Sequence, residues 1–423
     1  MDHDTVHPVL GLREFDSKTE IDEFHGDPKC MKIQALLITE RVLGQGHKDT
    51  IFRYMYAGAA HADSNDYTDC VSLWNYALKL KMEKETLLSC DTAFTARAIV
   101  QLYVNILIRH MTNPNPFESE PPLKFDDILT TSGYIRAGID TAMELLKVKP
   151  TCQKQLDSFD IILTTWIHLV HILLQLAETG NLLSWDPPPS ILSSSSWAPS
   201  PGMLLLGSSL VHWTSLDNFI LIFFLFIEFQ KTATFEEVMP MLQKDVKTHK
   251  TGDSLLHLAV SSASTLHSNS FLDGDGETSS NLTVFPSPKV TEFILNCGYD
   301  IHSRNSINET PLHIAVKPEN FSVDIATQLL EHGAHLDIPD SRDICPVDIL
   351  KAQKQTQINL VPYVSLQCLA AQVIVKERVP FTSQDVPRHL DEMLHMHLPN
   401  LPALSELTLE FQEFSLDDIM NDL

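Results

Sequence analysis

The chain is short of positive charge and of ordered cysteine. Its 423 residues carry 30 Lys and Arg against 55 Asp and Glu, a formal net charge of −25. An acidic chain repels phosphate, which argues against nucleic acid as a partner. Cys30, Cys70, Cys90, Cys152, Cys297, Cys345 and Cys368 are scattered with no C-x-x-C pair. That argues against a disulfide framework or zinc ribbon and fits a reducing compartment, so a cytoplasmic setting is expected, with the nucleus left open. The opening, MDHDTVHPVL, has neither a basic region nor an apolar core and does not read as a signal peptide. Phosphate-binding glycine loops, H-E-x-x-H and G-x-S-x-G are all missing, and no RING-like cysteine order is present. No catalytic residue, cofactor or metal is therefore expected.

Long apolar runs are few. IILTTWIHLVHILLQLAE approaches membrane length, but His168, His171 and Gln175 interrupt it, and it reads as a buried helix. FILIFFLFI, residues 219–227, is too short to cross a bilayer. It lies in a stretch, Gly180 to Gln230, that has no Lys or Arg and contains Pro187–Pro189 and Ser193–Ser196. Composition makes residues 179–239 an atypical low-charge insert or linker. Three origins stay open: a misassembled or read-through segment, a locally packing insert, and a membrane-associated hairpin.

What is present is helical periodicity. MKIQALLITERVLG places Ile33, Leu36, Leu37 and Val42 near helical spacing, Gly44 and Gly46 break it, and Asp49 and Thr50 offer caps for the next helix. Gly58, Ala59 and Ala60 mark a point where a neighbouring helix approaches closely. After a turn, YTDCVSLWNYALKL is a further amphipathic helix. Helix, turn and helix with small residues at the contact is tetratricopeptide logic, expected over residues 26–178 after an N-terminal segment 1–25.

From Thr251 the pattern changes. TGDSLLHLAV and NETPLHIAV both match the T-P-L-H-x-A opening of an ankyrin repeat. The Thr310 hydroxyl is expected to cap a helix and meet the His313 ring, with Pro311 at the first helical position, where a missing N–H costs nothing. His257 and His313 are thus structural. A third opening, DICPVDIL, is degenerate. The repeats are assigned to 240–362, with a polar loop inserted at 261–288. DGDGE in that loop resembles a calcium loop but lacks its spacing. Sequons at Asn281, Asn308 and Asn320 are read as chance matches.

Near the end stands SLQCLAAQVI, Ser365–Ile374. On a helix, Leu366, Leu369, Ala370, Val373 and Ile374 form one apolar stripe. Such a stripe suits a lid that closes the repeat stack or a handle that a partner grips. The residue order resembles the elongin-C-binding box of SOCS- and VHL-type proteins at Ser365, Leu366, Leu369, Ala370 and Ile374, with Ala370 in place of the usual Cys. VPRHLDEMLHMH follows, and Val386, Pro387 and Leu390 resemble a cullin-2 box. Residues 363–397 are therefore assigned to this segment and 398–423 to an acidic tail.

Taken in order, GDPKCMKIQALLITERVLGQGHKDT, WNYALKL, TGDSLLHLAV, TPLHIAV, SLQCLAAQVI and VPRHLDEMLHMH resemble the Fem-1 (feminization-1) homologue family over roughly 26–178 and 240–397. The resemblance implies an all-α fold of tetratricopeptide-like repeats, ankyrin repeats and a C-terminal helical box. It also implies a non-catalytic substrate receptor of a cullin-2 RING ubiquitin ligase, which links protein substrates bearing C-terminal degrons to elongin B–C and the cullin. The family's N-terminal ankyrin block has no counterpart in this sequence, so no degron-binding residue is named. The alternative from the residues is a plain protein-binding repeat scaffold. A homodimer is left open, and the membrane is not expected as a partner.

Overall fold

The computed structural model describes residues 6–24, 26–112, 123–179, 230–266, 284–353, 357–377, 379 and 387–397, which are helical with no β-strand. Backbone contacts divide the chain into two compact units, Met1–Lys250 with Thr265–Val284, and Thr251–Ser264 with Phe285–Leu423.

The first unit holds α1 (Lys18–Phe24), α2 (Pro28–Leu43), α3 (Lys48–Asp63), α4 (Tyr67–Lys84), α5 (Cys90–Thr112), α6 (Phe125–Leu146) and α7 (Gln153–Thr179). A further helix, α8, covers residues 230–243. Asp27 starts α2 by accepting from the Lys29 and Cys30 amides, with Pro28 at the first position. At α3 the structure departs from the expected caps. His47 Nδ1 accepts from the Asp49 amide at 3.2 Å, and the Thr50 hydroxyl instead donates to the Gly44 carbonyl at 2.9 Å. Thr50 is fully buried, so its hydroxyl must find a partner, and the carbonyl at the end of α2 supplies it.

Helices α3 and α4 form the close hairpin that the small residues suggest. A Cβ on Gly58 would fall 2.2 Å from the Trp74 ring, so the indole lies on bare backbone there. The Trp74 indole N–H donates to the Met55 carbonyl at 2.8 Å. Leu36, Ile51, Tyr54, Leu73 and Ala77 pack between α2, α3 and α4.

Among the described residues, α7 alone is long and apolar enough to cross a membrane by length and composition. Its Trp166, Ile167, Leu169, Val170, Ile172 and Leu173 are fully buried within the unit, as the sequence reading expects of a core helix. Burial also drives the His168 imidazole down to about 3, so it is neutral. Its Nδ1–H donates to the Thr164 carbonyl at 2.8 Å and its Nε2 accepts from the Leu266 amide at 3.4 Å.

Residues 230–239, which composition placed in the linker, are helical. Glu237 of α8 accepts from Ser132 at 2.9 Å and from Arg136 at 3.0 Å, both on α6. The remainder of the insert, 180–229, and the acidic tail lie outside the described residues.

The second unit holds α9 (Leu255–Ala259), α10 (Pro288–Asn296), α11 (Pro311–Ala315), α12 (Val323–Glu331), α13 (Pro346–Ala352), α14 (Leu366–Lys376) and α15 (Arg388–His397). Helices of five to nine residues are too short to persist alone. Here each opener is locked locally. The Thr310 hydroxyl donates to His313 Nδ1 at 2.8 Å and the Thr310 amide to the same nitrogen at 3.0 Å. His313 Nε2–H then donates to the Ile344 carbonyl of the next repeat at 3.1 Å. Ser254 and His257 repeat the arrangement, with His257 Nε2–H donating to the Glu309 carbonyl at 2.9 Å. One imidazole therefore caps its own helix and ties it to the following repeat.

The degenerate third opener uses a carboxylate for the same purpose, Asp348 accepting from the Cys345 amide at 3.1 Å. Gly298 and Gly333, at φ +75° and +94°, end α10 and α12 in the left-handed region. The Asn320 side chain, read as a chance sequon, is buried and bridges the Ser262 amide to the Ile314 carbonyl.

Candidate protein-binding surface

The box helix α14 has two faces of opposite fate. Ser365 caps it, accepting from the Cys368 amide at 3.0 Å. Cys368 and Ala371, 7% and 0% exposed, turn inward. The apolar stripe turns outward: Leu366 is 84% exposed, Leu369 44% and Val373 58%. Ala370 is also exposed, and Ile374 is half-buried at the edge.

The choice between lid and handle was posed for one stripe. The structure divides it between two faces. The slim face, Cys368 and Ala371, closes the unit, while the stripe is left in solvent. Periodicity identifies the stripe but carries no sign for its direction. The signal that could have set it is the small size of Cys368 and Ala371, which lets the helix backbone approach its support.

Pro387 is exposed at the start of α15, where its carbonyl accepts from the Leu390 and Asp391 amides at 2.8 and 3.0 Å. Leu390 is half-buried. Val386 lies outside the described residues. The four ankyrin residues His257, Thr310, Pro311 and His313 are all buried in the capping arrangements described above.

Behind α14 is a polar cluster that sequence reading missed. Cys368 Sγ lies 3.2 Å from His335 Nδ1, Gln372 donates to Asp337 at 3.0 Å, and His397 Nε2 lies 3.1 Å from Asp337 Oδ2. His335 and Asp337 sit between α12 and α13, so this cluster joins the last repeats to α14 and α15. Arg304 adds a bond to the Met396 carbonyl of α15.

Burial opposes the charge on Asp337, but the contact with His397 outweighs it and holds the carboxyl below its usual range. His397 is raised in return, since Asp337 and the Met393 carbonyl overcome its burial. His302, whose ring meets His335 edge-on, is driven down to about 4, mainly by burial and then by His335.

Comparison with known proteins agrees with this architecture. The ankyrin repeat family matches residues 308–341. The chain is 27% identical over 391 residues to protein fem-1 homolog A-like of Mus musculus, covering 91% of this chain and 49% of that protein. It is 28% identical over 387 residues to protein fem-1 homolog C of Xenopus laevis, covering 91% and 51%. Against protein fem-1 homolog A of Homo sapiens it is 27% identical over 389 residues, covering 91% and 48%. The chain thus spans about half the length of these relatives. The resemblance to Fem-1 homologues and the repeat-helical fold both hold. With ankyrin repeats, whose stacked faces serve protein–protein contact, the molecule is a repeat-built protein-binding scaffold.

Proposed function

Starting from the kinship with Fem-1 homologues, we propose that this chain is a non-catalytic receptor subunit of a cullin-2 RING ubiquitin ligase, with α14 as its elongin grip. The observation that carries the reading is the outward stripe of Leu366, Leu369 and Val373 on a helix already anchored by its other face. Exposed leucines on a rigid helix lose little freedom when they enter a partner's pocket, so most of the burial is retained as affinity. Ser365, Leu366, Leu369, Ala370 and Ile374 would meet elongin C, and Val386, Pro387 and Leu390 the cullin.

The receptor does no chemistry. It holds a protein substrate beside a charged ubiquitin carrier and raises the effective concentration of a substrate lysine there. The helical hairpins before residue 179 take the tetratricopeptide role in this reading. The setting is cytoplasm and nucleus, which fractionation would test.

Co-purification with the elongin B–C pair tests the proposal. Wild type should form a stoichiometric complex, and Leu366→Ala should weaken it by about 2–4 kcal/mol while the chain stays folded. If neither protein binds the pair, the receptor reading fails and the scaffold stands without a ligase connection.

A further inference from the structure

Four side chains with metal-binding atoms converge from three separate segments behind the exposed face of α14. They are His335 and Asp337 from the connection between α12 and α13, Cys368 from α14, and His397 at the end of α15. One ligand atom from each lies within 4.8 Å of all the others. Contacts in the cluster include 3.2 Å for Cys368 Sγ to His335 Nδ1, 3.8 Å for His335 Nδ1 to Asp337 Oδ1 and, at the other carboxylate oxygen, 3.1 Å for Asp337 Oδ2 to His397 Nε2. A tetrahedral zinc ion with bonds of about 2.0–2.3 Å sets its ligands roughly 3.3–3.6 Å apart. The observed distances bracket that value.

The hydrogen bonds leave the partner of His397 Nε2 to be accounted for. His397 Nδ1–H donates to the Met393 carbonyl at 2.8 Å, because only an N–H can face a carbonyl. Nε2 then faces the Asp337 carboxylate, a pairing that a charged imidazolium makes directly and that a bare Nε2 makes only through a cation. The His397 side chain is only 1% exposed, and Nε2 makes no well-aligned hydrogen bond despite its 3.1 Å approach. Cys368 Sγ, for its part, already accepts from the Ser365 hydroxyl at 3.0 Å and still points at a ring nitrogen. A cation at the centre would satisfy all four groups together.

The surroundings also resemble the outer layer of a metal site. Ligating imidazoles usually donate their other N–H to a carbonyl, and ligating carboxylates are themselves hydrogen-bonded. The Met393 carbonyl does the first for His397, and the Gln372 amide does the second for Asp337 at 3.0 Å. One thiolate and one carboxylate match the charge of a dication. The mixture of sulfur, two nitrogens and one oxygen suits zinc better than calcium or magnesium, which prefer oxygen throughout.

We propose that His335, Asp337, Cys368 and His397 form a structural zinc site that clamps α14 and α15 to the last ankyrin repeat. Zinc holds the slim face of α14 and so fixes the direction in which the stripe is presented. The site does not depend on what binds that stripe. Its ligands come from three segments, with only His335 and Asp337 close in sequence, which is why no zinc pattern is visible in the sequence.

The test uses the full chain, purified without chelator and dialysed against buffered zinc, then against cobalt(II). One zinc per chain is expected by elemental analysis. Cobalt should give the strong visible bands of a tetrahedral ion and a thiolate charge-transfer band in the near ultraviolet. Cys368→Ser should abolish the charge-transfer band, whereas Cys152→Ser, at an exposed cysteine elsewhere, should not. His397→Cys should strengthen the band by adding a second sulfur. Failure of the wild-type chain to retain stoichiometric zinc or cobalt overturns the proposal whatever the variants do. So does a charge-transfer band that survives in folded Cys368→Ser.

Discussion

The two units hold themselves together by different means. In the first, long helices share broad apolar faces, and one buried carboxylate is fully supplied with donors. Glu40 accepts from Tyr54 at 2.5 Å, from Tyr76 at 3.2 Å and from Gln45 at 2.8 Å, with His7 Nε2 at 3.3 Å. Burial works against this charge, but the contacts with His7, Tyr54 and Gln45 outweigh it and hold the carboxyl at about 2. In the second unit the repeat helices are shorter and share a smaller apolar core, with Leu256, Val290, Ile325 and Leu329 fully buried, and local capping by Ser254–His257 and Thr310–His313 adds to it. Its buried polar cluster, around Asp337, leaves His397 Nε2 without a well-aligned hydrogen bond. A closed network stiffens a fold from within, whereas an open one invites a ligand.

The largest expected effect breaks the closed network. Glu40→Ala leaves two tyrosines and a histidine without their acceptor, and should cost about 3–5 kcal/mol. Urea denaturation followed by tryptophan fluorescence reads this, since Trp74 and Trp166 both lie in the first unit. A loss below about 1 kcal/mol would mean that the network contributes no more than a surface pair.

The second effect separates the units by acid. Burial drives His313 down to about 4 from an ordinary value near 6.5, with the Ile344 carbonyl opposing. A depressed imidazole is neutral when folded, so its contribution is full above about 6.5 and declines as the pH falls toward 4. Glu40 acts lower, its contribution being full above about 4.5 and lost toward 2. Amide protection at α11, taken relative to the intrinsic exchange rate at each pH, should therefore fall between pH 6.5 and 4, before the Glu40 network weakens. His313→Gln should start less protected and show a flatter pH dependence. An unchanged slope in that variant would remove His313 from the account.

The third sharpens the packing side of the comparison. Gly58→Ala drives a methyl into the Trp74 ring and should cost about 1–3 kcal/mol, read as a lowered melting temperature. No such glycine contact supports the helices of the capped repeats at Gly298 or Gly333, where nothing lies within 4 Å of an added Cβ.

What could be read from the sequence follows the range of the interactions. The ankyrin openers were legible because Thr310, Pro311 and His313 act within one turn. Gly58 was legible because small residues cluster where helices touch. The stripe on α14 was legible as a stripe, but its direction depends on Cys368 and Ala371 meeting residues far away in sequence. The Glu40 network and the Asp337 cluster were both invisible, since His7 and His397 reach them from distant segments. Residues 230–239 were assigned to a linker because the stretch without Lys or Arg before them dominated the composition, although Glu237 is held by Ser132 and Arg136 on α6.

The smallest expected effect on stability sits at the centre of the account. Leu366 is 84% exposed, so Leu366→Ala should change folding stability by no more than about 0.5 kcal/mol. The decisive measurement pairs that value with titration of the same variant against elongin B–C. The account predicts an unaltered melt and an affinity lower by about 30- to 1,000-fold, equivalent to the hot-spot loss of about 2–4 kcal/mol. A lowered melt with unaltered affinity would contradict it, and would make the outward stripe part of the fold rather than its grip on a partner.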